Sequence, residues 1–188
     1  ARLAFGALLD RGQFHADRLF LGDADGRVAD RDVGEQLGQR RLRRLGGTGL
    51  SIAPLVLGGN VFGSGAVDRA RSFAVLDAFV AGGGTMIDTA DIYANYLPGG
   101  KGGESETMIG DWLVHRGRRD DVQIATKVGG PMAPERKGLG AAHIASAVED
   151  SLRRLRSDYI DLYFAHFDDA DTPQDEVADA FDRLVKAG

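Results

Sequence analysis

From Leu42 onward the apolar positions alternate between short strand-like runs and stretches with helical spacing. LRRLGGTGLSIAPLVLGG predicts two short apolar strands around a Gly-Gly-Thr-Gly turn, a hairpin signature. Leu55 to Leu57 then predicts a buried strand. Asp68 can cap a helix whose apolar positions Phe73, Leu76, Phe79 and Val80 follow helical spacing, and Gly82-Gly83-Gly84 stops it. Thr85 to Ile87 is the next predicted strand. Ser105 opens a second helix with Met108, Ile109, Trp112 and Leu113 on one face. Val122 to Ala125 predicts a third strand, and Ile144, Val148, Leu152 and Leu155 mark the following helix. Tyr159 to Ala165 predicts a fourth strand. Thr172 as N-cap, Pro173 at N1 and Asp175 at N3 begin a fourth helix, with Val177, Phe181 and Leu184 on its buried face.

Strand followed by helix, four times over, implies a parallel sheet with helical crossovers, either doubly wound or a barrel. Asp88, Lys127 and His166 end strands two, three and four and stand 39 residues apart each time. A constant unit length puts equivalent positions on successive units. The three side chains are therefore expected on one rim, at the carboxyl ends of the strands, where α/β folds place their chemistry.

Residues 1–40 break this regularity. They contain no Ser, Thr, Pro, Ile, Lys, Asn, Tyr or Trp, and their apolar positions fit neither a helical face nor an alternating strand. They are expected to lie outside the fold, as an extension of low structure or as sequence outside the true reading frame, leaving 41–188 as the domain.

Bulk properties narrow the function classes. The 188 residues are 43% hydrophobic and 27% charged, ordinary values for a soluble globular protein. A net charge of −5 argues against nucleic acid as a partner. The lack of cysteine excludes disulfides and thiolate metal sites. No apolar run approaches the roughly 20 residues of a membrane span, and the start has no signal-peptide pattern, so a cytoplasmic location is expected. Asp168, Asp169 and Asp171 read as an acidic loop beside a helix N-terminus, and no metal site is expected. GGTG, GGNVFGSG and GGKGGES lack the arrangement of a phosphate loop and read as a hairpin turn and two βα loops.

Taken singly, the candidate residues have bland explanations. Asp88 fits a turn, Lys127 a solvated strand end, His166 a satisfied strand-end histidine and Tyr93 a packed ring. Their convergence on one rim is what suggests chemistry. A phenol titrates near pH 10, and an adjacent ammonium favours its anion and eases proton donation. A carboxylate can hold that ammonium, and an imidazole can orient a carbonyl. Such a set suits protonation of a carbonyl oxygen while a hydride arrives at carbon. Acyl transfer is less natural, because no Ser or Cys nucleophile is paired with a base.

DTADIY, IATKVG and YFAHF, in this order and spacing, resemble the aldo-keto reductase superfamily. RRLGGTGLSIAPLVLGGNVFG is similar to that family's N-terminal hairpin and first barrel strand, GGESETMIGDWL to its second helix, and SLRRLRSDYIDLYFAH to its third helix and fourth strand. The resemblance covers about Leu42 to Gly188. It implies a TIM (β/α)8 barrel, represented by about its first four βα units, that reduces aldehydes or ketones with NADPH, or NADH as the other option. It also implies Tyr93 as general acid, Lys127 and Asp88 as the groups that tune it, and His166 as the residue that orients the carbonyl. Asp88 and the backbone at Gly58 and Gly59 would lie against the nicotinamide. The long loop YANYLPGGKGGESE suggests a bacterial or potassium-channel-β-subunit-like branch. Relatives often carry Thr where Gly59 stands and Gly where Arg156 stands. The family's later strands, its stacking tyrosine and its basic phosphate-binding loop have no counterpart in this sequence. A second reading is therefore a non-catalytic truncated barrel or a partner-binding regulatory subunit, and association into an oligomer is allowed.

Overall fold

The computed structural model describes residues 42–188, so the expectation for residues 1–40 lies outside it. A short hairpin comes first, β1 (Arg43–Arg44) pairing antiparallel with β2 (Ser51–Ile52). Four strand–helix units follow: β3 (Leu57–Gly58) and α1 (Arg69–Ala81), β4 (Met86–Asp88) and α2 (Glu104–Arg116), β5 (Gln123–Val128) and α3 (Ala141–Leu155), then β6 (Leu162–Ala165) and α4 (Gln174–Ala187). The last four strands form one parallel sheet in the order β3-β4-β5-β6.

Parallel strands alternate their side chains between two faces, and here each face has its own core. Ile87, Ile124, Val128 and Tyr163 point toward the helices, where they meet Leu76 of α1, Ile109 and Trp112 of α2, Ile144 and Leu155 of α3 and Phe181 of α4. Met86, Ala125 and Leu162 point the other way and form a second cluster with Leu45, Leu50 and Ile52 of the hairpin and Phe164. The hairpin sits at the amino ends of the strands: Ala53 N donates to Thr85 Oγ1 at 2.8 Å and Gln123 Nε2 to the Ser51 carbonyl at 3.2 Å. It closes the end opposite the rim.

The helices begin and end largely for the expected reasons. Asp68 is the N-cap of α1, its Oδ1 accepting from Arg71 N at 2.8 Å, and Gly82 ends that helix. In the GGTG turn, Gly46 and Gly49 take φ of 53° and 77°, a region open to glycine at no steric cost. Arg156 ends α3 at φ 51°, ψ 42°, the left-handed conformation a glycine takes most easily.

Four expectations need correction. The strand expected at Leu55 to Leu57 is Leu57–Gly58 and is not buried, because β3 is a sheet edge with a neighbour on one side only. The fourth strand is shorter than Tyr159 to Ala165, because Asp161 turns its carboxylate onto Ile124 N at 2.8 Å and Arg119 Nη2 at 2.6 Å. Thr172 does not cap α4: its hydroxyl donates to Asp169 Oδ2 at 2.7 Å, and Pro173 holds the cap position instead. Ser105 is not the first residue of α2, which starts at Glu104 after a left-handed Gly103.

Candidate active site

Asp88 is the last residue of β4 and lies on the hairpin-side face, in line with Met86. In register Asp88 pairs with Ala125, and Ala125 with Leu162. Lys127 and His166 therefore stand two and four residues beyond the level of Asp88, both even offsets that keep them on its face. The 39-residue spacing thus does not mean equal height. Each of the three stands one pleat higher than the last, a staggered rim that brings long and short side chains to a common centre.

Lys127 is the hub of that centre. Its Nζ donates to Asp88 Oδ2 at 2.7 Å, to the Thr89 carbonyl at 2.7 Å and to Tyr93 Oη at 3.1 Å. All three N–H bonds are used, as an ammonium allows. The same nitrogen lies 4.8 Å from the centroid of the Tyr93 ring. The Asp88–Lys127 pair is neither sealed nor open, its side chains being 28% and 14% exposed.

Tyr93 returns to this point through a series of tight turns. Thr89 N is bonded to the Ala125 carbonyl at 2.8 Å and Asp91 N to that of Lys127 at 3.2 Å, so the segment stays stitched to β5. Tyr93 N then bonds back to Ala90 O at 3.3 Å. The ring meets His166 edge-on, with centroids 5.8 Å apart. His166 itself stacks on Phe167 at 4.4 Å, and His166 N is anchored to the Val128 carbonyl at 2.8 Å. Burial, and then the Lys127 ammonium, lower the His166 imidazole to about 4, so it is neutral at neutral pH.

The two candidate glycines differ. Gly59 is buried, its N–H donates to the Asp88 carbonyl at 2.7 Å, and a Cβ there would meet that oxygen at 2.9 Å and Ser105 Oγ at 3.0 Å. Close packing accounts for the missing side chain, and its amide is spent within the sheet. Gly58 is exposed beside Asp88, and a Cβ there would meet nothing within 4 Å. Only Gly58 offers open backbone at the rim.

Sequence reasoning missed a buried relay that fixes this corner. Ser105 Oγ donates to the Gly59 carbonyl at 2.7 Å and lies 2.8 Å from Thr89 Oγ1, which must then be the donor to it. The signal was present: two hydroxyls at otherwise apolar, inward positions need partners. Nearby, Glu106 is fully buried and accepts from Thr126 Oγ1 at 2.5 Å and Arg154 Nε at 2.6 Å. Asp169 is occupied structurally, accepting from Leu139 N, Asp171 N and Thr172 Oγ1. Among the described residues no group of acidic or histidine side chains is arranged to hold a metal.

A carboxylate, an ammonium, a phenol and a neutral imidazole thus meet at the carboxyl end of a parallel sheet. The chain matches the aldo/keto reductase family over residues 54–188. It is 52% identical over 96 residues to an uncharacterized 11.2 kDa protein in the crtE 3' region of Pseudescherichia vulneris, covering 50% of this chain and 92% of that one. It is 37% identical over 164 residues to the putative aryl-alcohol dehydrogenase AAD14 of Saccharomyces cerevisiae, covering 79% of this chain and 42% of that protein. It is 34% identical over 160 residues to the NADP(+) aryl-alcohol dehydrogenase of Phanerodontia chrysosporium, covering 76% of this chain and 40% of that protein. This chain belongs to the aldo/keto reductase family, a family of oxidoreductases. It spans about two fifths of the length of these two dehydrogenases. The family implies an α/β barrel, and the four-stranded parallel sheet with its helices is consistent with part of one.

Proposed function

We propose that this chain carries the catalytic rim of an NADPH-dependent reductase of aldehydes or ketones, with Tyr93 as general acid. The observation that carries the reading is the position of Lys127 Nζ, which donates at once to Asp88 and to the Tyr93 hydroxyl. When Tyr93 gives its proton to a carbonyl oxygen, the O–H bond breaks and negative charge stays on the phenol oxygen. The ammonium 3.1 Å away meets that charge, and Asp88 keeps the ammonium in place. The neutral His166 imidazole can donate an N–H to the same carbonyl oxygen and align it.

The residues present fit a nicotinamide at this corner. Gly58 leaves open space over the backbone next to Asp88, while the Ser105 relay fixes the strand behind it. A bound NADPH would supply the hydride that joins the carbonyl carbon, and NADH would supply the same chemistry. The chain's similarity to two aryl-alcohol dehydrogenases, one of them putative, makes aromatic aldehydes, the oxidised partners of aryl alcohols, the first substrates to try. Among the described residues no helix is long and apolar enough to cross a membrane, and cytoplasmic work on a small carbonyl compound suits that. The bacterial or channel-β-subunit-like branch rests on the long loop between Tyr93 and Glu106 alone. One feature favours the second reading, a partner-binding chain: β3 and β6 each pair on one side only among the described strands.

Both readings meet the same experiment. The catalytic one expects NADPH to raise the melting temperature of the chain and to be consumed when benzaldehyde is added. No thermal shift at millimolar NADPH and no turnover would sink independent catalysis and leave the partner-binding reading standing.

A further inference from the structure

Asp91 lies two residues before Tyr93, and the rim does not use its side chain. It is 1% exposed, and neither carboxyl oxygen has a hydrogen-bond partner. Its backbone is well fixed, with Asp91 N bonded to the carbonyl of Lys127 itself at 3.2 Å. The turn continues through Asn95 N to Ile92 O at 3.0 Å and Leu97 N to Ala94 O at 3.1 Å, with Ala94 at φ 78°. Asp91 is thus the buried root of the segment that presents the phenol.

The charged and titratable groups that act on Asp91 come from four elements: Glu106 of α2, Arg154 of α3, Arg136 of the loop before α3, and Tyr163 of β6. Both guanidinium groups are committed elsewhere. Arg154 donates to Glu106 Oε2 at 2.6 Å and to Ser151 Oγ at 3.2 Å, and Arg136 to Asp150 Oδ2 at 2.6 Å. The Tyr163 hydroxyl is buried without a partner, and burial followed by the Asp91 charge raises it well above its ordinary range. One guanidinium therefore serves Glu106, and Asp91 is a second buried carboxyl with no cation of its own. An anion in such a place is costly unless it is paired. Burial, and then the Glu106 charge, push the Asp91 carboxyl from 3.8 up to about 7.

We infer that Asp91 is a positioning residue held as the neutral acid, and that its proton keeps the Tyr93 turn seated on the sheet. When the proton leaves, the carboxylate regains water only by lifting that turn, and the phenol moves away from Lys127. The effect on catalysis rests on the reading of Tyr93 as general acid, whereas the seating of the turn does not.

Native-state hydrogen exchange on the full chain separates the two. The reporters are the turn amides of Tyr93, Asn95 and Leu97, with Ile124 of β5 as control, in wild type and Asp91→Asn, which keeps a neutral donor in place. Opening that releases one proton makes the wild-type-to-variant ratio of exchange rates climb up to about tenfold per pH unit between about 4 and 7 at the turn and level off above, with no such climb at Ile124. A ratio that stays flat at the turn overturns the proposal. If the variant does not fold, a carboxyl-carbon NMR titration of wild-type Asp91 decides. A midpoint near neutrality together with loosening confined to the turn as the pH rises toward that midpoint supports the proposal, and a midpoint near 4 overturns it. Where the chain turns over, the alkaline limb of kcat should follow the same midpoint and shift in Asp91→Asn. If neither protein turns over, the general-acid reading fails while the exchange result stands.

Discussion

Charged groups stand at the rim of the parallel sheet and beneath it, and the two places neutralise charge in different ways. At the rim one carboxylate, Asp88, meets one ammonium, Lys127, and both keep some contact with solvent. Under α2 and α3 lie two carboxyl groups, Asp91 and Glu106, both almost fully sealed, and the one guanidinium there, Arg154, pairs with Glu106 and leaves Asp91 without a cation of its own. The rim balances its charge by pairing, whereas at the buried site burial and the Glu106 charge raise the unpaired carboxyl, Asp91, to about 7. Proton donation needs an ammonium that is held but still free to respond to new charge. The ties that hold the scaffold together can be dry and permanent.

The sharpest way to test this contrast is to remove chemistry without removing structure. Tyr93→Phe deletes the proposed proton donor while keeping the ring against His166, and on that proposal it should lower turnover by about 10²–10⁴-fold. Cofactor binding, read by thermal shift, should survive. Retained turnover would refute the proton-donor role.

The next test sets the two carboxylates against each other. Glu106→Ala leaves Arg154 and Thr126 without their buried partner and should cost about 3–5 kcal/mol in denaturant unfolding. Asp88→Asn leaves a rim ammonium that still has the Thr89 carbonyl, the Tyr93 hydroxyl and nearby solvent, and should cost about 1 kcal/mol or less. Equal costs at the two places would erase the distinction.

A pH series probes the rim imidazole. His166 is lowered from 6.5 to about 4 in the folded chain, so between those values the folded state binds fewer protons than the unfolded state. Its contribution to stability is complete above about 6.5 and is lost as the pH falls toward 4. Thermal unfolding of wild type should weaken over this acid window more than that of His166→Gln. Matching acid limbs would show that His166 does not titrate as its burial and the neighbouring Lys127 dictate.

The smallest effect concerns chiefly the backbone, at the end of α3. Arg156 adopts a left-handed conformation that costs a side-chain-bearing residue roughly 1–2 kcal/mol. Arg156→Gly relieves that strain, loses an exposed pair with Asp111 and gives the unfolded chain more freedom. The net expectation is a gain of about 0.5 kcal/mol in chemical denaturation, with turnover unchanged. A loss of stability would mean the Asp111 pair outweighs the strain.

Much of this architecture was legible in residue order. The helical spacing of Ile109, Trp112 and Leu113, and of Ile144, Val148 and Leu155, marked the faces that became the outer core. Asp68 marked a helix start because a short acceptor just before an apolar-periodic stretch has one efficient use. Asp88, Lys127 and His166 were legible as a set because an equal spacing of 39 residues marks equivalent strand ends on successive units, with Tyr93 five residues after Asp88, while strand register is what shows that they share one face. The Thr172 cap was misread for a nonlocal reason: Asp169 competes for its hydroxyl, and Asp169 is itself held by Leu139 from across a loop.

The sequence by itself determined the alternation of strand and helix, the face of each helix that is buried and the identity of the rim residues. All three follow from period and spacing, which are local properties of the chain. Tertiary structure alone decided the staggered heights of Asp88, Lys127 and His166, because strand register is set between strands. It alone showed that Gly59 is a packing glycine while Gly58 is open, since neighbours distant in sequence determine the space over a Cα. It alone brought Asp91 near Glu106, whose guanidinium partner, Arg154, is already engaged. Whether a carboxyl is charged depends on the dielectric and charges around it, and for Asp91 those charges come from α2, α3 and the loop before α3.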